Sequence, residues 1–276
     1  LACRLKEQNA MPSSQCLQDP QVSSPDRYQR EWLKWSDVKC GEHRLSEHSD
    51  VIVVDRAKYA GNIGSILRHM PLLGGVQVLF LTNSDHKRTS PYPVYTRGFL
   101  KEVMRVSMAR NYQEFGSQLC VLEGGDGKEE MLDLLKLLKS AGFKRLLLEN
   151  QEVFEELSAS GRTLPCDSMF EQAVLQDFSA PVAFIFGGEV GQLLPDLVVH
   201  CDAGAFIPSW VRLGSQNGLP SDQIGHLAQS TVEDLEDATE KAEARSRTHS
   251  CNLCIAACIV LSERFRHRLA SIKTCS

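Results

Sequence analysis

The sequence predicts an α/β fold, a mostly parallel sheet with helices on both faces. Short runs without polar alternation recur, such as "VIVVD" at 51–55 and "PVAFIFG" at 181–187, as in strands buried on both faces. Amphipathic stretches of helical period lie among them, clearest in "KEEMLDLLKLLKSAG" at 128–142. From residue 51 onward strand and helix patterns alternate, and strands joined through helices pair in parallel.

Residues 1–50 form a polar N-terminal extension, and the Ser-, Gln- and Pro-rich stretch 1–30 is expected to be partly disordered. "DRYQREWLKWSDV" at 26–38 fits a short amphipathic helix. Trp32 and Trp35, three apart, would share its face, packed on the main domain or meeting RNA. The main domain runs from 51 to 276. After the strand at 51–55 comes a helix, "NIGSILRHM" at 62–70, which Pro71 ends or kinks. "VQVLFLT" at 76–82 is the second strand, the helix at 128–142 stops at a glycine, and "RLLLEN" at 145–150 is a further strand. The run at 181–187 ends in Gly187 and Gly188, "AGAFIP" at 203–208 is a short strand, and 249–270 forms the last helix. Ligands on such a sheet sit at the carboxyl ends of its strands.

The stretch 209–248 interrupts this scheme as a polar insertion. Ser230 and Glu233 have capping-box spacing, and Asp237–Lys241 and Glu243–Arg247 have helical i, i+4 spacing. It reads as a solvated helix on a flexible stem, either a surface elaboration or, beside the expected pocket, a lid or an RNA-selecting element.

A net charge of −5, from 30 basic and 35 acidic residues, excludes a protein that coats nucleic acid nonspecifically, though not a local basic patch. Ten cysteines without a disulfide framework point to free thiols in a reducing, intracellular compartment. The chain begins at Leu1, so a targeting signal can precede it. "CIAACIVL", its longest strongly apolar run, is too short to span a bilayer, so no membrane partner is expected. No Walker or dinucleotide glycine fingerprint supports a different nucleotide enzyme.

Three stretches carry chemistry. In "AGNIGSILR" (60–68), Asn62 can cap a helix whose first turn holds Gly64, and Arg68 projects from the same helix. In "FIFGGEVGQLLPDLVVHCDAGAFIP" (184–208), a buried strand ends in two glycines and Glu189, and the next strand ends at Ile207–Pro208. Glu189 either caps the following helix or faces a ligand, and the two strand ends can wall one pocket. In "RTHSCNLCIAACIVLSERFRHR" (247–268), Ser250 precedes a helix with Asn252 in its first turn.

Together these stretches resemble the three motifs of the SpoU (TrmH-like) branch of the SPOUT RNA methyltransferases. Asn62, Gly64 and Arg68 match the first motif, Phe186, Gly187, Glu189, Ile207 and Pro208 the second, and Ser250 and Asn252 the third. "SERFRHR" (262–268) resembles the family's closing helix, and "MRVSMAR" (104–110) its Arg-Ala-Ser-x-Gly segment. The resemblance implies an α/β knot fold with a C-terminal trefoil knot, a homodimer, S-adenosylmethionine as cofactor, and methylation of a ribose 2′-hydroxyl in structured tRNA or rRNA. It makes Arg68 the key catalytic residue, with Asn62 and Glu189 orienting it or the ribose, and Ser250 and Asn252 at the ribose and methyl group. Gly187, Gly188, Ile207, Pro208 and Cys251 would hold the cofactor, largely through backbone groups.

The sequence departs from the family pattern at Gly188, Val190 and Cys251, where relatives carry Asn, Gly and Leu. These changes favour an alternative, an RNA-binding or assembly factor of the same fold with weakened catalysis. Cys251, Cys254 and Cys258 look like a metal motif but read as one buried helical stripe with Ile255, Ile259 and Leu261, so no metal is expected.

Overall fold

The computed structural model describes residues 32–73, 75–84, 95–107, 118–122, 126–162, 164–168, 180–187, 189, 193–208 and 252–274. Eight strands form one sheet: β1 (Leu33–Lys34), β2 (Asp50–Asp55), β3 (Val76–Thr82), β4 (Gln118–Val121), β5 (Lys144–Leu148), β6 (Cys166–Ser168), β7 (Val182–Phe186) and β8 (Ala203–Phe206). Their order is β1-β4-β3-β2-β7-β5-β8-β6, and every pairing is parallel. The described helices are α1 (Trp35–Lys39), α2 (Ala60–Leu73), α3 (Arg97–Ser107), α4 (Gly127–Ser140), α5 (Gln151–Ala159), α6 (Pro195–Val198) and α7 (Leu253–Thr274).

The sheet separates two cores, because alternate residues of a strand point to opposite faces. Ile52 and Val54 of β2 pack with Ile63, Leu67, Leu100 and Ala257, under α2, α3 and α7. Val51 and Val53 pack with Trp35, Leu134, Leu138, Phe154 and Leu197, under α1, α4, α5 and α6. β2 is buried throughout, as its uninterrupted apolar run requires.

Several expectations are corrected. Trp32 lies outside α1. It packs on the α2 face, while Trp35 is buried in the opposite core, so the two tryptophans share no face. Residues 33–39 join the sheet and core partly as a strand and not as one helix: β1 pairs with β4, and Trp35 and Val38 are buried. Pro71 does not end α2, which runs on to Leu73. A proline in the last turn forfeits only a terminal hydrogen bond. The buried stripe of α7 is Leu253, Ala257, Val260, Leu261 and Arg264. Cys254 and Cys258 flank it half-buried, and Ile255 is exposed. The helix therefore turns about one position from the predicted stripe. Residues 1–31, the insertion at 209–248, Gly188, Val190, Ser250 and Cys251 lie outside the described residues.

The last helix is fastened to the first central strand by charge. Arg264, fully buried, donates from Nε and Nη2 to the two oxygens of Asp50, at 2.8 and 3.0 Å. It also donates to the Ala180 carbonyl at 3.2 Å. Arg268 reaches the same carboxylate at 3.1 Å, and the Val182 N–H donates to it at 2.9 Å. The "SERFRHR" segment thus fastens the amino edge of the sheet, opposite the carboxyl ends of its strands.

Candidate active site at the carboxyl edge of the sheet

In chain order β2, β3 and β4 build outward on one side, and β5 then starts on the other side, beyond β7. The switch lies near β2 and β7, and a crevice forms at the carboxyl ends of the strands around such a point. Across it the strand ends stand in a row: Asp55 of β2, Gly187 after β7, Glu149 after β5 and Ile207 after β8.

The exit from β2 is built first. Asp55 is fully buried, and its carboxylate accepts from Thr82 Oγ1 (2.8 Å), Ser84 N–H (2.8 Å) and Ser84 Oγ (2.6 Å). Arg56 pairs with it through Nε at 3.0 Å. Arg56 has φ of 51°, the only positive value at a non-glycine among the described residues. That left-handed turn costs on the order of 1 kcal/mol or more for a side chain with a Cβ. The turn is held by the Arg56 N–H donating to the Thr82 carbonyl (2.8 Å). Tyr95 completes the frame, donating its hydroxyl to that carbonyl (2.7 Å) and accepting from the Ala57 N–H (3.2 Å). Burial pushes the Tyr95 phenol above its ordinary range.

The frame delivers residues 58–62 to Glu189. One carboxylate oxygen accepts the backbone N–H groups of Lys58 and Tyr59, each at 2.8 Å, and the other accepts the Asn62 side-chain amide. Two residues from separate motifs therefore meet across the switch point. Glu189 neither caps the helix that follows it nor stands alone. It caps the approach to α2, where free N–H groups and the positive end of the helix favour an anion. Asn62 is not the cap expected of it, because α2 begins at Ala60 and the Asn62 amide donates to Glu189. Gly64 permits a close approach of a different kind. A Cβ there would lie 2.7 Å from the Val103 carbonyl and from Val106 Cβ, so the glycine lets α3 pack on α2.

The remaining predicted residues are dispersed. Arg68 is exposed on α2 and pairs with no carboxylate among the described residues. It lies six residues beyond Asn62, about 9 Å along the helix axis. Asn252 caps α7, its Oδ1 accepting the Cys254 N–H at 2.9 Å. It therefore precedes the helix rather than sitting in its first turn. α7 packs against α2, which brings the first and third motifs onto neighbouring helices. Ile207 and Pro208 are half-buried beyond β8.

Gly187 and Ile207 do not end adjacent strands, because β5 runs between β7 and β8. The floor between the two predicted walls is therefore Glu149, a residue the motifs do not include. Its carboxyl lies on Gly187 so closely that a Cβ at that glycine would overlap it. Its Oε1 accepts the Leu193 N–H at 3.2 Å. Burial pushes this carboxyl up to about 7, opposed by backbone hydrogen bonds and by Arg56. The signal available in the sequence was a carboxylate directly after a buried parallel strand, "RLLLEN".

Glycine backbone, an acidic floor and the apolar wall of Ile207 suit a nucleoside ligand that carries hydroxyl and amino donors and positive charge. That donor set fits S-adenosylmethionine, and Gly187, Glu149, Ile207 and Pro208 are the described residues that would hold it. Among the described residues no group of three His, Cys, Asp or Glu is placed to hold a metal ion, and no helix is long and apolar enough to cross a membrane.

No family model and no curated protein matches the chain. Among solved structures it is similar to an rRNA methyltransferase from Sinorhizobium meliloti, at 17% identity and a TM-score of 0.48, over 86% of this chain and 61% of that one. It is also similar to the SpoU methyltransferase AviRb from Streptomyces viridochromogenes in complex with AdoMet, at 18% identity and a TM-score of 0.48, over 83% and 64%. A third is the A. aeolicus TrmH/SpoU tRNA modifying enzyme, at 14% identity and a TM-score of 0.45, over 89% and 84%. The chain spans less than two-thirds of the length of the first two.

Proposed function

We propose that the chain is an S-adenosylmethionine-dependent methyltransferase acting on a ribose 2′-hydroxyl of structured tRNA or rRNA. The observation that carries this reading is the junction of Asn62 and Glu189. It joins residues of two motifs, 127 positions apart in sequence, at the switch point of a parallel sheet. On the same reading the chain after β8 closes a trefoil knot, the protein works as a homodimer, and its free thiols suit a reducing compartment. Exposed Tyr59 and Ile255, both large and apolar, are consistent with an interface near the two motif-bearing helices.

The cofactor when bound supplies an activated methyl group and its own leaving group. The chain's residues have three tasks. Asn62 and Glu189 hold the segment 58–62 rigid against the end of β7, which fixes where α2 begins and hence where Arg68 points. Arg68, exposed and without a carboxylate partner among the described residues, is available to grip an RNA phosphate bidentately. That grip sets the neighbouring ribose hydroxyl in place and steadies negative charge developing on its oxygen as it takes the methyl group and its proton passes to solvent water. The cleft from Gly187 to Ile207 holds the methyl donor at the strand ends.

The test is Arg68→Ala. Methyl transfer to RNA is expected to be lost, while S-adenosylmethionine affinity and the thermal midpoint stay near those of the parent. Wild-type transfer rates in this variant would refute the role of Arg68. The second reading, a binding factor with weakened catalysis, is favoured by Gly188 and Val190 in the second motif. Calorimetric titration with S-adenosylmethionine separates the two, since the second predicts no measurable binding. Ribose-methylation mapping with and without the protein then identifies the target nucleotide.

A further inference from the structure

Glu149 has a place in the fold that packing does not explain. It is the first residue past β5, between the ends of β7 and β8, and its carboxyl covers the face of Gly187. The Leu193 and Asn150 N–H groups are its backbone donors, and any short polar acceptor on this loop can accept them. The charged groups that act on it are Arg56 and Asp55, both from the exit of β2 and already paired with each other. A half-buried carboxyl in the crevice between two strand ends works against stability at neutral pH, because its charged form is less well solvated there than in water. Such a group is retained where it meets a ligand more readily than where it only holds a loop.

The geometry points to Glu149 as a ligand-recognition residue, whose carboxylate accepts a hydrogen bond from a hydroxyl or amino group of the nucleoside cofactor bound between Gly187 and Ile207. This inference rests on the reading that the cleft takes S-adenosylmethionine. Gly187 is then needed for two reasons. It leaves backbone exposed to the ligand, and it leaves room for the carboxyl that recognises it. A carboxylate facing a donor away from bulk water makes a charge-assisted bond, stronger than a neutral one. The same negative charge favours a cationic ligand over a neutral one of similar shape.

The experiment is calorimetric titration of the whole chain with S-adenosylmethionine at pH 6, 7 and 8, for the wild type, Glu149→Gln and Glu149→Ala. Glutamine keeps an acceptor for the Leu193 N–H and removes only the charge, so a loop-holding role survives it. The expected result is roughly 10- to 100-fold weaker binding by Glu149→Gln at pH 8. The gap between wild type and Glu149→Gln is expected to widen from pH 6 to 8, as the wild-type carboxyl ionises, and the thermal midpoint of the variant is not expected to fall below wild type. Equal affinity of wild type and both variants at pH 8 would overturn the inference and leave the carboxyl a loop fastener. A wild type that binds no S-adenosylmethionine at any pH would instead overturn the reading of the cleft, and this inference with it. Should Glu149→Gln fail to fold, Glu149→Ala, which opens space over Gly187, gives the same comparison.

Discussion

Replacing Glu189 by alanine tests the joint between β7 and α2 directly. The wild-type carboxylate accepts two backbone N–H groups at 2.8 Å and the Asn62 amide. Hydrogen bonds to a charged acceptor contribute about 1.5–3 kcal/mol each when buried. Glu189 is only half-buried, so about 1–1.5 kcal/mol for each is the better figure, and about 3–4.5 kcal/mol for the three. Most of that loss is local, because the Asp55 frame still anchors the exit of β2. Hydrogen exchange reads it best. The amides of Lys58 and Tyr59 have Glu189 as their acceptor, so in Glu189→Ala they should exchange about 10-fold faster, since 1.4 kcal/mol is a factor of ten. Glu189→Gln should do less damage. Its carbonyl oxygen can keep the two backbone donors, and the Asn62 amide can flip to accept from the new NH2 group. Unchanged exchange at Lys58 and Tyr59 in Glu189→Ala would refute this account of the joint.

Three further outcomes follow from the packing and the charges. Gly64→Ala should destabilise the fold by about 1–3 kcal/mol in urea unfolding, because its Cβ would press on the α3 backbone. Arg264→Met should cost about 3–5 kcal/mol by the same measurement, since among the described residues it leaves buried Asp50 with only Arg268 as a charged partner. For Glu149, the folded carboxyl titrates near 7, against 4.5 in the unfolded chain. Between those values the folded state holds more protons, so this group's contribution to stability falls as pH rises from about 4.5 to 7 and is level above. The midpoint of Glu149→Gln minus that of the wild type should therefore grow from pH 5 to 7 in thermal melts. A difference that does not change with pH would contradict it.

What the sequence disclosed depends on how local each signal was. The strands β2, β3, β5, β7 and β8 and the helices α2, α4 and α7 each carry a period or an apolar run of their own, and all were legible. The two-residue β1 and three-residue β6 are too short to carry a pattern, and exist because neighbouring strands offer them an edge. The Trp32–Trp35 spacing misled because three residues apart means one face only inside a helix, and the helix begins at Trp35. In the site, Asn62 and Glu189 were readable as motif members, yet their bond was not, since it depends on β2 lying beside β7. Glu149 was hidden for the same reason. Its significance comes from β5 running between β7 and β8, and nothing in "RLLLEN" announces the order of a sheet.

The clamp between Asp50 and α7 also sets a schedule. Asp50 opens the central strand, and both arginines that neutralise it belong to the last helix, the nearer one 214 residues later. At ~5–20 residues per second, a ribosome needs about 10–40 s to make the chain between them. During that interval the carboxylate at the base of β2 has neither cation and the groove for α7 is uncovered. Ile52 and Val54 can pair with β3 and collapse under α2, but the sheet's amino edge stays unsealed. The nascent chain is thus expected to pass a long interval as a partly closed domain, exposed to chaperones and proteases, and to lock only when its newest helix reaches its oldest core strand.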